Sequence, residues 1–147
     1  MFLNILAAVD GSPASLRALE QAIDIARAMN STLTLITVAP PLSLYVTLAG
    51  VSAETMSNEL DKWAERILSE AAETVPDDVI AHRIRRSGHA GTEILKELKR
   101  GGYDLVVLGT RGRGRAEEGL LGSVNGSLHF HSRVPLLSVP DDGDEAV

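Results

Sequence analysis

The stretch LNILAAVDGSPASLRALEQAIDIARAM, residues 3–29, decides the fold class of this chain. It begins with a short apolar run typical of a buried strand, turns at a glycine, and continues with apolar residues at helical spacing. Ser12 suits the N-cap of that helix, Pro13 its first position and Asn30 its end. The predicted apolar stripe of the helix consists of Leu16, Leu19, Ile23, Ala26 and Met29. A buried strand that leads through a tight turn into an amphipathic helix is the first half of a βαβ unit.

Strands and helices alternate along the rest of the chain as well. The five predicted strands are Leu3 to Val9, Thr32 to Val38, Val79 to Arg86, Tyr103 to Leu108 and Val134 to Val139. The later predicted helices are one with the stripe Met56, Leu60, Trp63, Ile67 and Ala71, one from about Gly91 to Arg100, and one that begins near Ser123. This alternation predicts right-handed crossovers and a parallel sheet covered by helices on both faces, which is a three-layer α/β/α fold. For the five-stranded parallel sheet we expect the doubly wound order 3-2-1-4-5.

Length and composition limit what the chain can do. Its 147 residues predict a single domain over residues 1–140, followed by an acidic tail at residues 141–147. A net charge of -6 argues against broad binding to nucleic acid or anionic lipid, because both require a basic face. The absence of cysteine excludes a disulfide framework and a thiolate zinc site. Because the start has no secretory-signal pattern and no apolar run is long enough for a membrane helix, we expect a cytoplasmic protein.

Two glycine-containing turns are expected to meet at one end of the sheet. In a sheet of this order the strand order reverses between strands 1 and 4, and a crevice opens at their carboxyl ends. The segments VDGSP, residues 9–13, and GTRGRGRAEEGLLGS, residues 109–123, follow those two strands. A glycine-rich loop that leads into a helix presents backbone N–H groups and the positive end of a helix dipole, and its arginines add positive charge. The pattern predicts a site for an anionic ligand, with an exposed loop of merely hydrated arginines as the alternative.

Several catalytic classes lack a required residue in this chain. There is no G-x-x-x-x-G-K-[ST] motif of P-loop enzymes, and no G-x-G-x-x-G motif follows the first strand, as an ordinary dinucleotide site would require. Asp10 stands where some phosphotransferases keep a nucleophilic aspartate, but residue 12 is Ser12 rather than a second acidic group for magnesium. A receiver-like domain would need an aspartate after strand 3, where this chain has RRSGH. No residue presents itself as an activated base, so the sequence predicts a binding protein rather than a fast enzyme.

Three stretches of the chain carry a family resemblance. They are ILAAVDGSPAS near the start, SGHAGTEILKELKRGGYDLVVLGTRGRG in the second half and LLGSVNGSLHFHSRVPLLSVP at the end. Over nearly its whole length the sequence resembles the universal stress protein family. The most specific element is the family's nucleotide-binding pattern G-x2-G-x9-G-[ST], which is met by Gly109, Gly112, Gly122 and Ser123.

The resemblance implies an adenine-nucleotide α-hydrolase-like fold and ATP binding, because family members with the intact pattern bind ATP. Carried over by motif position, Gly112, Gly122 and Ser123 would contact the phosphates. Gly109 would let the backbone pass close to the ribose and phosphates. A serine at the start of a helix is suited to this role, since it can both cap the helix and donate its hydroxyl to a phosphate oxygen.

The resemblance also places the rest of the nucleotide. Asp10 would lie by the ribose and adenine, and the backbone of Val38, the last residue of predicted strand 2, would pair with the adenine edge. Asn125 stands where many members have Ser, Thr or Ala, and its amide can still donate to a phosphate. The candidate ATP-binding residues are Asp10, Gly11, Ser12, Val38, Gly109, Arg111, Gly112, Arg113, Gly122, Ser123, Val124 and Asn125.

Two functions stay open on the sequence alone. The first is a stress and survival regulator that depends on ATP, with Mg or Mn held through the phosphates rather than by protein ligands, and with slow hydrolysis left open. The second is a nucleotide-independent interaction module that binds a protein partner through the predicted apolar loop at residues 40–52 and the final strand. The resemblance further implies a homodimer in which strand 5, Val134 to Val139, pairs with its symmetry mate.

Overall fold

The computed structural model describes residues 1–43, 50, 52–110 and 123–140 and shows strands alternating with helices. In chain order the elements are β1 (Asn4–Ala8), α1 (Pro13–Met29), β2 (Thr32–Ala39), α2 (Ala53–Glu73), β3 (Ala81–Ser87), α3 (Ala90–Gly101), β4 (Leu105–Gly109), α4 (Ser123–His131) and β5 (Leu136–Val139). Each predicted strand and helix is present. Most of the predicted loop at residues 40–52 and the whole predicted acidic tail lie outside the described residues.

The predicted strand boundaries need small corrections. Four strands start one or two residues later than predicted, and the second strand continues past Val38 to Ala39. At two of the late starts, before β3 and β5, a predicted strand residue uses its backbone N–H group locally. Val79 donates to the carbonyl of Pro76 (3.0 Å), and Val134 donates to the hydroxyl of Ser132 (3.0 Å). The apolar character of a residue does not show whether its backbone N–H bonds locally or to a neighbouring strand.

The strands form one parallel sheet in the order β3-β2-β1-β4-β5, which confirms the predicted fold class. β1 lies in the middle, where Ile5 is opposite Leu33 of β2 on one side and Leu105 of β4 on the other. β2 is longer than β1 at its carboxyl end. Its pairing with β1 stops at Ile36, while its pairing with β3 continues to Ala39. The last residues of β2 therefore extend beyond the carboxyl end of β1.

Helices cover both faces of the sheet. Side chains alternate along β1, so that Ile5 and Ala7 join the core beneath α1 and α2, whereas Leu6 joins the core beneath α3 and α4. The second core consists of Leu6, Ile36, Ile94, Leu98, Val106, Leu108 and Leu128. The chain is thus a three-layer α/β/α structure in which both faces of the central strands are buried, as expected for a parallel sheet.

The first helix has the predicted ends but a different buried face. The Ser12 hydroxyl accepts from the backbone N–H of Ser15 (3.2 Å), Pro13 opens the helix, and Asn30 closes it in the left-handed conformation at φ 57°. Two residues of the predicted stripe are exposed instead, Leu16 at 45% and Met29 at 36%. The buried residues of α1 are Ala14, Ser15, Ala18, Leu19, Ala22, Ile23 and Ala26. Four alanines on this face let the helix axis lie close to the sheet.

A buried carboxylate ties α3 to the edge of the sheet. The side chain of Glu97 on α3 is only 5% exposed, and it accepts from the Arg86 guanidinium of β3 (2.9 Å) and from the Tyr103 hydroxyl (3.0 Å). Arg100 lies one turn away at 3.6 Å. These partners provide the charge and hydrogen bonds that a carboxylate needs when it is removed from water.

The Tyr103 hydroxyl is expected to make the stability of the protein depend on pH in the alkaline range. Burial raises the pKa of Tyr103; the hydrogen bond with Thr34 opposes that rise and the bond donated to Glu97 adds to it. The folded-state pKa of Tyr103 lies above the unfolded value of about 10. The contribution of the protonated hydroxyl to the free energy of unfolding is therefore complete below pH ~10 and is lost as pH rises through the folded pKa. We expect Tyr103→Phe to be less stable than wild type near neutral pH and to lose less stability in alkali. Urea unfolding of both proteins at increasing pH measures this, and parallel stability profiles would contradict it.

Candidate functional site

The carboxyl ends of β1 and β4 lie side by side in the middle of the sheet. Ala7 of β1 is opposite Val107 of β4, and the chain leaves β1 toward α1 on one face and β4 toward α4 on the other. This is the point at which the strand order reverses, where open α/β sheets bind ligands. The predicted juxtaposition of Asp10, just after β1, with Gly109, the last residue of β4, follows from this arrangement.

The turn between β1 and α1 holds the Asp10 carboxylate in a defined position. The backbone N–H of Ser12 donates to Asp10 Oδ1 (2.8 Å), and the backbone N–H of Asp10 donates to the hydroxyl of Ser15 (3.2 Å). Gly11 between them has a φ of +81°, which a residue with a side chain rarely adopts. The carboxylate is half-buried and lies at the N-terminal, positive end of α1.

The first turn of α1 lies against the end of β4. A Cβ atom on Gly109 would approach Ala14 C and Cβ to 2.7 Å and the backbone nitrogen of Ser15 to 2.9 Å. These separations are well inside ordinary contact distances, and two of the three atoms belong to the helix backbone. The described protein by itself therefore requires glycine at position 109, before any ligand is considered.

The first turn of α4 reaches the same point from the other face. Asn125 on α4 is buried, and its Nδ2 donates to the carbonyl oxygen of Gly109 (2.7 Å). Its Oδ1 accepts from the hydroxyl of Ser138 on β5 (2.9 Å). Two helix N-termini thus converge on the carboxyl end of β4, one from a helix of 17 residues and one from a helix of 9. Convergent helix N-termini make a favourable environment for negative charge.

The structure brings together some of the candidate site residues and leaves others undescribed. Asp10, Gly11 and Ser12 form one turn beside Gly109, and α4 begins at Ser123. Val124 is half-buried and packs against the core beneath α3 and α4. Val38 is half-buried on the part of β2 that extends past β1, and its strand partner is Arg86 of β3. The candidates outside the described residues are Arg111, Gly112, Arg113 and Gly122.

Three hydroxyl residues support the site and were not among the candidates. Ser15 accepts from the backbone of Asp10, the fully buried Thr37 donates to the carbonyl of Val9 (2.7 Å), and Ser138 donates to Asn125. For Ser15 the sequence carries a signal, because it lies three residues after the N-cap, where side chains interact with the start of the helix. Thr37 and Ser138 depend on contacts between strands and helices distant in sequence, which no local pattern reveals.

We also searched the rest of the described structure for other cavities, metal sites and membrane-spanning helices. A cavity of about 220 Å³ lies between α3 and the segment after α4, at the amino ends of the strands, and is lined by residues including Leu95, Lys99, Arg133 and Val134. Within the described ranges no group of three or more His, Cys, Asp or Glu side chains could hold a metal ion. No helix in the described part of the chain is both long and apolar enough to cross a membrane.

Comparison with known proteins identifies the relatives of this chain. The model of the family described as "Universal stress protein family" matches residues 1–140. Universal stress protein YxiE of Bacillus subtilis (strain 168) is 31% identical over 147 residues, which cover 95% of this chain and 99% of that protein. The solved structure of the hypothetical protein MJ0577 has the same fold, with a TM-score of 0.82, 23% identity, and coverage of 95% of this chain and 96% of that one. A universal stress protein solved in complex with cAMP is 28% identical, with a TM-score of 0.67 and coverage of 94% and 97%.

Proposed function

The chain belongs to the universal stress protein family, and we propose that it binds ATP at the carboxyl ends of β1 and β4 and acts as a nucleotide-dependent regulator of stress survival. The observation that carries this proposal is the convergence of α1 and α4 on Gly109, beside the oriented carboxylate of Asp10. The relative solved with cAMP supports an adenine nucleotide as the ligand class. The intact G-x2-G-x9-G-[ST] pattern supports a triphosphate, since it offers a long run of backbone N–H groups to phosphates.

The proposed binding mode gives each end of the nucleotide a separate set of residues. Gly112, Gly122 and Ser123 contact the phosphates at the start of α4, and the extension of β2 at Val38 lies toward the adenine. Asp10 accepts from ribose hydroxyls, because a carboxylate would repel a phosphate placed directly against it. The chemistry of this donor set fits Mg or Mn only as a companion of the phosphates, since no group of three or more His, Cys, Asp or Glu side chains within the described residues could hold the ion.

Binding is tested first on the protein as purified. We expect adenine nucleotide in the extract of natively purified protein by mass spectrometry, and a saturable heat on titration of ATP into the stripped protein. Bound ligand stabilises only the folded state, so ATP should also raise the melting temperature. Absence of nucleotide from the extract, with neither heat nor a melting shift on titration, would overturn the proposal.

Asp10 allows a test of the binding mode. Asp10→Asn keeps an oxygen for the Ser12 N–H but replaces a charged acceptor by a neutral one, so we expect ATP to bind about fivefold to tenfold more weakly. The matched control is Asp24→Asn, which makes the same charge change on the exposed side of α1. Calorimetric titration of both variants measures the difference, and equal losses of affinity would show a general charge effect instead of a contact at Asp10.

A second function has its own support in the fold. β5 is a short edge strand in which Leu136 and Leu137 are half-buried and Ser138 is exposed, so its outer side can pair with another chain. We propose that two copies of the chain pair through this strand. If the protein dimerises through β5 but ATP neither copurifies nor binds, a nucleotide-independent interaction module becomes the better description. Sedimentation of wild type and of a β5 variant, each with and without ATP, distinguishes the two functions.

A further inference from the structure

A chain of hydrogen bonds runs from the candidate nucleotide site to the edge of the sheet. Asn125 donates from Nδ2 to the carbonyl of Gly109 (2.7 Å) and accepts at Oδ1 from the hydroxyl of Ser138 (2.9 Å). Asn125 is 6% exposed, whereas Ser138 is an exposed residue of the edge strand β5. One amide group thus joins the end of β4, the first turn of α4 and the edge strand.

The geometry of β4 and β5 strengthens this connection. Gly109 is opposite Val139 in the register, and the backbone N–H of Thr110 donates to the Val139 carbonyl (2.9 Å). On the other face, Arg17 of α1 donates to the carbonyl of Pro140, immediately after β5 (3.2 Å). Both helices whose N-termini form the site are therefore bonded to β5 or to the residue that follows it.

A buried amide with two protein partners cannot give up either bond without cost. If β5 shifts, Asn125 must follow Ser138 or leave a buried acceptor unpaired, and in following it changes the position of the Gly109 carbonyl. The converse also holds, because a ligand that fixes the end of β4 fixes Asn125 and, through it, Ser138. The strand has four residues and a single strand neighbour within the described sheet, so one ladder of backbone hydrogen bonds, with β4, joins it to that sheet.

We propose that Asn125 and Ser138 are positioning residues that couple nucleotide binding to the pairing of β5 with a second copy of the chain. This inference rests on the proposed function, because it needs both a nucleotide at the end of β4 and a partner at β5. Coupling between two binding events is reciprocal: ATP strengthens self-association by the same factor by which self-association strengthens ATP binding. Asn125 acts in this scheme through the Gly109 carbonyl and not through a phosphate contact.

The test compares self-association with and without nucleotide. Analytical ultracentrifugation gives the dimer dissociation constant of the full chain in Mg-ATP and in its absence, and we expect ATP to lower it about fivefold or more. Ser138→Ala removes the hydroxyl donor, and it should bring the ratio of the dimer dissociation constants without and with ATP close to one. Ser138→Thr keeps a hydroxyl on a residue suited to strands and should restore it. Asn125→Asp keeps the acceptor for Ser138 but loses the donor to Gly109, so the ratio should again fall toward one.

Ser87→Ala is the control, because it removes a serine hydroxyl from the exposed end of the opposite edge strand β3. It should leave the ratio at the wild-type value. A wild-type dissociation constant that ATP does not change, in a protein that binds ATP, overturns the coupling and leaves the proposed function intact. An unchanged ratio in Ser138→Ala assigns the coupling to other contacts and overturns the role of these two residues. Absence of ATP binding defeats the proposed function itself, and the inference with it.

Discussion

Gly109→Ala is expected to lower the free energy of unfolding by about 3 kcal/mol and the melting temperature by roughly 6–12 °C, measured without nucleotide. The added Cβ would lie 2.7 Å from Ala14 C and Cβ and 2.9 Å from the nitrogen of Ser15. Relief requires the first turn of α1 to move by about 1 Å, because carbon atoms in contact prefer ~3.5–4.0 Å. That movement separates the alanine face of α1 from the sheet and disturbs the turn that holds Asp10.

Gly126→Ala is the matched control for this prediction. Gly126 lies in α4, and within the described residues a Cβ there meets nothing within 4 Å apart from the adjoining helix backbone. Since alanine favours a helix over glycine by up to about 1 kcal/mol, this variant should be as stable as wild type or more stable. Thermal and urea unfolding followed by circular dichroism compare the two variants. A Gly109→Ala protein as stable as Gly126→Ala would mean that α1 adjusts freely and that its close approach to β4 is not required.

Much of this fold can be predicted from local patterns in the sequence. The alternation of β-branched runs with helical stripes predicts the elements, and Ser12, Pro13 and Asn30 predict both ends of α1. These signals succeed because capping and periodicity depend on residues that are neighbours in sequence. The handedness and packing rules of parallel sheets then predict right-handed crossovers with helices on both faces, but they do not by themselves distinguish the order 3-2-1-4-5 from other doubly wound orders.

The failures have a common physical cause, which is contact between distant segments. Leu16 and Met29 fit the apolar period of α1, but the helix presents its alanines to the sheet, since small side chains let it approach β4 at Gly109. The two partners of Asn125 are likewise set by tertiary packing, with Gly109 16 residues before it and Ser138 13 residues after it. The position of Gly109 in the motif predicts only a role in ligand binding. The structure shows that Gly109 also permits the close approach of α1 to β4.

Gly122 is expected to show the opposite behaviour to Gly109. It lies outside the described residues, immediately before the first residue of α4, and it holds the third glycine position of the nucleotide-binding pattern. In the proposed binding mode the phosphates approach its backbone closely, so that a side chain would occupy space needed by the ligand. We expect Gly122→Val to weaken ATP binding by about 100-fold. The melting temperature without nucleotide should change little, and the rise that ATP produces should disappear.

Gly119→Val provides the control, because it places the same side chain in the nine-residue span between Gly112 and Gly122, where the pattern does not require glycine. Calorimetric titration with ATP and melting curves with and without ATP should show near wild-type binding for Gly119→Val and loss of binding for Gly122→Val. If Gly122→Val instead lowers the melting temperature without nucleotide and retains ATP affinity, its glycine serves the turn into α4 and the proposed phosphate contact is wrong. The expected contrast is physical: Gly109 is required by a helix that is always present, and Gly122 by a ligand that binds and leaves.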